Sequence, residues 1–389
     1  MTVGAGAVRG ADATLCGPAI FQAAARVRDR ITVEAFGRPH PLSPVSAGFV
    51  ALRTDPPAHG TDRIASMALA MGRPVALVGE TAAPVAAALA AATGGRWLCP
   101  PGPPGGGARE PWRRCHFVVP EEFVRARTAA IVRLQRDRRP RAGLPFQRLT
   151  AVGVGPWIRG DGAAARRAVA RAEAVVATDW TFRHTLPLLG LRTSGSRHAV
   201  PYDVMDYDAT VAGVSATVDR LQEAGVGDVA LLVEGNPDTY DVLEGLCPAR
   251  RRLDVVPGVP IGLAAAGELG RRLARDPFDR RHAYLSGLPA RHGQTRERLL
   301  RELTGYLAAG LPCALVEMTA GDIGLVLRAA RAAPEPMTCV LLSDLYSPDT
   351  RVVTAGAASA RARTLLEHAR GRLTTLLVFK ESFRAETPG

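Results

Sequence analysis

Three apolar runs in this chain each stop at a glycine-bearing turn and give way to a stretch of small residues. Leu149, Ala151, Val152 and Val154 lead into Gly155-Pro156, with Gly153 inside the run. Val229 to Val233 is apolar at every position and ends at Gly235-Asn236-Pro237. Val255 and Val256 end at Pro257-Gly258-Val259, and Ala264, Ala265 and Ala266 follow. Short continuous apolar runs bounded by turn residues predict strands buried on both faces, as in a parallel sheet covered by helices. In such a sheet ligands collect at the carboxyl ends of the strands. A glycine there removes the side chain, so the main chain itself can meet a ligand. Three such turns in succession predict a site built mainly from backbone.

The chain upstream carries a second alternating pattern. GFVALRT and RPVALVGE read as strands, TDRIASMALAM and TAAPVAAALAAATGG as helices, giving an α/β unit before the three turns. CPPGPPGGG at 99–107 is a Pro/Gly loop or linker. Residues 121–138 read as a basic amphipathic helix with Phe123, Ile131 and Leu134 on its apolar side, and 140–145 separates it from the strand at 149.

In order along the chain, VGVGP, EGNPDTY and VVPGV resemble the tetrapyrrole methylases, the S-adenosylmethionine-dependent enzymes that methylate corrin and sirohaem precursors, whose pattern is GxGPG, GDPxxYG and VPGxxA. The likeness continues through LPCALVEMTAGDIGLVLRAAR, CVLLSDLYSPDTRVV and LTTLLVF, and Ser347-Pro348-Asp349-Thr350-Arg351 is nearest to the precorrin-6Y methylase branch. The resemblance implies an α/β fold of two lobes, each with its own sheet, and S-adenosylmethionine between them. It divides the chain into an N-terminal α/β module of unassigned role over 1–145, a first lobe over 146–250 and a second over 251–389. Gly153, Gly155 and Pro156 fall on the family's first cofactor loop, Gly235, Asn236 and Pro237 on the loop for the methionine part, and Pro257, Gly258 and Val259 on the next contact. Met318 falls where the family often sets an apolar residue against the adenine; a core methionine is the other reading. The sequence also departs from the pattern. Asn236 replaces an aspartate, Trp157 stands at the third position of Gly-Pro-Gly, Pro260 replaces a serine or threonine, and Ala355-Gly356 stands where Gly-Thr is usual.

Composition narrows the chemistry. Lys380 is the sole lysine of 389 residues, so no Walker-type phosphate loop exists and a Schiff-base mechanism has almost no candidate. The net charge of +12 is carried by arginine; residues 105–148 alone hold eleven arginines and four acids. Aromatic residues make up 5% and do not alternate with those arginines, which argues against nucleic acid as the partner. The six cysteines form no CxxC pair and the eight histidines no i,i+4 pair, so neither a disulfide framework nor a metal centre is expected. Without an apolar run of membrane-spanning length or a leader-like start, a cytoplasmic enzyme without a membrane partner is expected.

Methyl transfer from a sulfonium expels a neutral thioether, so the protein needs neither a metal nor a leaving-group acid. A base is needed only where the acceptor must lose a proton. Asp238 and Tyr240 beside the second turn, and Glu317 at the end of a predicted strand, are the candidates. Asp238 alternatively caps a helix, Tyr240 alternatively packs on the cofactor, and Glu317 alternatively is solvated. The expected activity is methylation of a corrinoid or other tetrapyrrole precursor. A specialised metabolite or peptide acceptor, and an inactive S-adenosylmethionine-binding protein, are the alternatives. The resemblance further implies a homodimer.

Overall fold

A computed structural model describes residues 49–55, 60–98, 115–125, 143–154, 162–188, 193–202, 207–235, 237, 243, 246, 251–256, 258, 261–272, 278, 281–286, 296–343, 350–370 and 374–385. Among these residues the chain forms two sheets, one of five strands and one of nine.

The five-stranded sheet is built from β5 (Gln147–Val154), β6 (Ala174–Thr178), β7 (Ser196–Val200), β8 (Asp228–Glu234) and β9 (Arg251–Val256). Its order is β7-β6-β8-β5-β9, with every neighbouring pair parallel. The two central strands carry the expected apolar runs because both faces are covered. Helix α3 (Gly162–Arg171) sets Ala165, Ala168 and Val169 against Val152, Ala230 and Leu232 on one face. On the other, α4 (Tyr207–Glu223) sets Val214, Val218 and Leu221 against Leu149, Ala151 and Leu231. At the amino end Arg251 ties edge strand β9 to the sheet. Its Nε donates to Gln147 Oε1 at 2.6 Å, and a terminal nitrogen donates to Gln222 Oε1 at 2.8 Å and Asp219 Oδ1 at 3.1 Å.

The nine-stranded sheet adds β1 (Phe49–Arg53), β2 (Val75–Val78), β3 (Arg96–Leu98) and β4 (Cys115–Val119) from the N-terminal part. They join β10 (Arg281–Ser286), β11 (Cys313–Met318), β12 (Met337–Ser343), β13 (Arg351–Gly356) and β14 (Thr374–Lys380). The order is β13-β12-β14-β11-β10-β1-β2-β4-β3. Strand β1 pairs antiparallel with β10, Phe49 opposite Tyr284, and parallel with β2. The strands read as a preceding α/β unit therefore extend the sheet of the C-terminal part. Between them, α1 (Thr61–Ala70), α2 (Ala82–Thr93), α6 (Arg296–Ala308), α7 (Ala320–Arg331) and α8 (Ala362–His368) cover one face with Ile64, Leu69, Ala86, Leu303, Ile323 and Leu365. Helix α5 (Ile261–Arg272) packs Ala265 and Ala266 against Phe49, Tyr284 and Val316 on the other.

Where a lobe boundary was drawn at 250/251, the structure pairs β9 with β5, so the chain passes from the first sheet to the second after Val256. The first turn of α5 then seats on the second sheet through Gly262, where a Cβ would stand 2.9 Å from the Tyr284 ring and 2.8 Å from Val316. Of the basic helix expected over 121–138, residues 121–125 are helical; 126–138 and the Pro/Gly stretch 99–107 lie outside the described residues. No described helix is long and apolar enough to cross a membrane.

Burial also makes the fold sensitive to pH. His282 on β10 lies edge-on to Phe49 and Phe278, with Nδ1 3.0 Å from the Phe278 carbonyl oxygen, and burial lowers its pKa to about 4. In the unfolded chain the imidazole titrates near its ordinary value of about 6.5. Between those values the unfolded state binds more protons, so stability is full above about pH 6.5 and falls as the pH drops towards 4. The loss amounts to about 3 kcal/mol at most. Denaturation midpoints followed from pH 7.5 to 4.5 are expected to fall less steeply in His282→Phe than in the wild type.

Candidate active site

The three glycine turns converge. Gly153 is the penultimate residue of β5, Gly235 follows the last residue of β8, and Gly258 lies beyond the end of β9. Since β5 lies between β8 and β9, their carboxyl ends are side by side. The Gly235 amide donates to the Val154 carbonyl at 2.9 Å, carrying the ladder past the ends of the strands. A Cβ on Gly153 would stand 2.4 Å from the Gly258 nitrogen and 2.6 Å from the Gly235 carbonyl oxygen. One on Gly258 would stand 2.1 Å from that same oxygen. Gly235 also has φ 75°, a left-handed conformation that side chains disfavour. Glycine is thus required at all three places for backbone to lie on backbone. The result is a patch of bare main chain at the carboxyl edge of a parallel sheet, with Pro237 buried beside it.

This patch fits the cofactor the sequence implies in that the family's loops meet at one sheet edge with main chain packed on main chain, and a side chain at Gly153 or Gly258 would force them apart. Gly155, Pro156, Asn236, Pro257 and Val259, read as further cofactor contacts, lie outside the described residues, as do Asp238 and Tyr240 among the candidate bases.

Glu317 and Met318 are not part of this cluster; both are at the end of β11 in the nine-stranded sheet. Met318 is fully buried in the core beneath α7, among Ile323, Leu376 and Val378, which accounts for an apolar residue there by packing alone. Glu317 has φ 56°, the one positive φ outside glycine among the described residues, at the register shift between β11 and β14. Its charge adds to burial in raising the Tyr284 phenol well above its ordinary pKa. The bend is held by the start of α7, where Thr319 Oγ1 accepts from the Asp322 amide and Asp322 Oδ2 accepts from the Thr319 amide. A non-glycine residue in this conformation costs on the order of 1–3 kcal/mol, and such strain clusters at ligand sites.

A carboxylate that the sequence reading passed over stands next to the glycine patch. Glu234, the last residue of β8, is only partly exposed, and its Oε1 accepts from Thr185 Oγ1 at 2.8 Å and from Thr181 Oγ1 at 3.2 Å. Burial raises its pKa, and the two hydroxyls oppose that shift. Both threonines belong to a π-helical turn, Thr181–Thr185, a conformation that is rare and recurs at functional sites. Asp179, just before it, accepts from the amides of Trp180 at 2.8 Å and Tyr202 at 3.1 Å and pairs with Arg183 at 2.6 Å. The signal that marks Glu234 is its place in the alternating row Ala230, Leu232, Glu234, whose first two members are core. Among the described residues no group of three or more potential metal ligands occurs.

Comparison with known proteins identifies the family. The family model of the tetrapyrrole (corrin/porphyrin) methylases matches residues 148–378, from β5 into β14, so that β1 to β4 lie outside the match. No curated protein matches. Among solved structures the chain is similar to uroporphyrin-III C-methyltransferase from Thermus thermophilus complexed with S-adenosylhomocysteine, at 20% identity over 61% of this chain and 99% of that one, with a TM-score of 0.42. It is also similar to the cobalamin biosynthesis precorrin-6Y methylase from Archaeoglobus fulgidus, at 14% identity over 61% and 98%, with a TM-score of 0.39. With the family model matched over residues 148–378, more than half of its sequence, the chain belongs to the tetrapyrrole methylases and is an S-adenosylmethionine-dependent methyltransferase.

Proposed function

We propose that the chain methylates a tetrapyrrole precursor of the corrin type. The convergence of Gly153, Gly235 and Gly258 carries the reading, because it gives the family's cofactor loops a common backbone surface. Gly153, Gly235, Pro237 and Gly258 would hold the cofactor, with Gly155, Pro156, Asn236, Pro257 and Val259 completing the contact from the adjoining loops. When bound, S-adenosylmethionine supplies an electrophilic methyl carbon on a cationic sulfur. The loops orient the acceptor in line with that carbon and exclude water, and orientation of this kind lowers a barrier by about 7–11 kcal/mol in favourable cases. Ser347 to Arg351 supports the precorrin-6Y branch as the nearest relative. Assembly as a homodimer, a cytoplasmic location and a first lobe that begins at 146 belong to the same reading.

A second reading, binding without turnover, is favoured by Asn236, a neutral amide where the family has a carboxylate. The two separate cleanly. Calorimetry with S-adenosylhomocysteine is expected to show micromolar binding under either. Mass spectrometry of a reaction with deuteromethyl-labelled cofactor, offered uroporphyrinogen III and cell extract, is expected to show a labelled tetrapyrrole under the first. Binding without any labelled product would leave the second, and a labelled small molecule or peptide of another class would move the acceptor.

A further inference from the structure

The strand order sets a crevice beside the glycine patch. From β6 the chain leads outward to β7, whereas from β8 it leads the other way, across β5 to β9. Adjacent strands whose connections diverge leave a gap above their carboxyl ends, where open parallel sheets place the groups that meet a ligand. Glu234 ends β8 at this switch point, and the π-helical turn after β6 reaches its carboxylate from the neighbouring strand end. The wider π turn brings Thr181 and Thr185 over one carboxylate oxygen, so both hydroxyls donate to Oε1. Thr181 is fixed in its turn by Thr178, whose Oγ1 is 2.9 Å from its own. Among the described residues no donor is placed on Oε2.

Among the described residues the surrounding charges leave this carboxyl to itself. Asp179 and Arg183 of the same turn pair with each other. Within β6 no residue titrates; on α3, which packs over β8, Arg166, Arg167 and Arg171 are exposed; and Arg148 of β5 is engaged at the far end with Asp254 at 2.9 Å. Burial, with no countercharge among the described residues, makes the ionised form a stronger base.

We propose that Oε2 of Glu234 takes the proton that the methyl acceptor gives up. The acceptor's bond to hydrogen breaks, its electron pair becomes the new bond to the methyl carbon, the S–CH₃ pair stays on sulfur, and the proton passes to Oε2. Thr181 and Thr185 are positioning residues that hold the carboxylate by its other oxygen. This assignment rests on the methyltransferase reading, and the test separates the two.

Wild type, Glu234→Gln and Thr185→Val are compared with deuteromethyl-labelled S-adenosylmethionine, uroporphyrinogen III and cell extract, with S-adenosylhomocysteine binding measured by calorimetry. Glu234→Gln is expected to lose about 100-fold or more in methyl transfer while binding the cofactor product within about threefold of wild type. Removing the Thr185 hydroxyl is expected to move the acid limb of the pH–rate profile upward by about half to one unit. A carbon-13 NMR titration of the side-chain carboxyls, without any ligand, is expected to show the same displacement for Glu234. Transfer by Glu234→Gln at the wild-type rate would overturn the assignment, as would a Glu234 titration unmoved in Thr185→Val, and the latter stands even if Glu234→Gln fails to fold. Absence of both product binding and transfer in the wild type would overturn the functional reading, and this one with it.

Discussion

Gly153→Ala is expected to abolish measurable binding of S-adenosylhomocysteine and to lower the melting temperature by roughly 5–10 °C. The added methyl would stand 2.4 Å from the Gly258 nitrogen and 2.7 Å from its Cα, and both are backbone atoms with no rotamer to escape into. Relief requires β5 and the turn beyond β9 to part, which also withdraws the Gly235 carbonyl that both glycines touch. Overpacking of this kind costs about 1–3 kcal/mol. The displaced loops are the ones that meet the cofactor, so binding suffers more than stability. Calorimetry and a thermal melt on the same sample check it. Gly324→Ala is the control: a Cβ there meets nothing within 4 Å, and Gly324 is in the interior of α7, so this change should leave both readings near wild type. Binding retained in Gly153→Ala would mean that the three turns do not form the cofactor surface.

The second large effect is expected from Glu302→Ala. Glu302 on α6 is 1% exposed and accepts from Arg73 Nε at 3.0 Å on one oxygen and from Arg298 Nε at 3.3 Å on the other. Arg298 in turn donates to the Met71 carbonyl oxygen. The cluster fastens the segment between α1 and β2, outside the family match, to a helix inside it. Truncation leaves the Arg73 guanidinium, itself 4% exposed, buried without its carboxylate, at a cost of about 3–5 kcal/mol. The melting temperature should fall by roughly 6–20 °C. A double replacement, Arg73→Met with Glu302→Leu, should recover most of that loss, since an apolar pair of similar volume needs no charge compensation. A loss below about 1 kcal/mol in the single variant would show the pair to be solvated.

Much of this could be read from the sequence, for identifiable reasons. Strands β5 and β8 and the turns after them were legible because continuous apolar runs are uncommon outside buried parallel strands, and a glycine after each run has a steric cause; β9, a half-buried edge strand of sequence RRLDVV, was legible by the Pro-Gly that follows it. β1, α1, β2 and α2 were legible as elements, yet their partner was not. Periodicity says that Phe49 to Leu52 is buried, and nothing in it says that the neighbour is β10. Strand β9 was assigned to the wrong side of the boundary for a related reason: Arg251 reads as surface until Gln147, Gln222 and Asp219 are seen around it. Glu234 was missed because it closes an apolar strand and reads as the first polar residue of a loop. Alternation with Ala230 and Leu232 sets it on the core side, while the π-helical turn that supplies its two hydroxyl donors leaves no mark in composition. The left-handed conformation at Glu317 was hidden for the opposite reason, since glutamate is a poor predictor of positive φ.

Residues 147–256, with a complete sheet of their own, are inserted between β4 and β10 of the larger one. During synthesis, β1 leaves the ribosome with its flank open, and the strand that will close it has not been made. At about 5–20 residues per second, translation takes on the order of ten seconds or more to reach β10. Throughout that interval Phe49, Val50 and Leu52 offer a sticky apolar ribbon, while the inserted sheet has time to finish first. Chains that stall before β10 are therefore expected to be prime clients for chaperones and proteases. A supply of the missing C-terminal half in trans offers a route to rescue them.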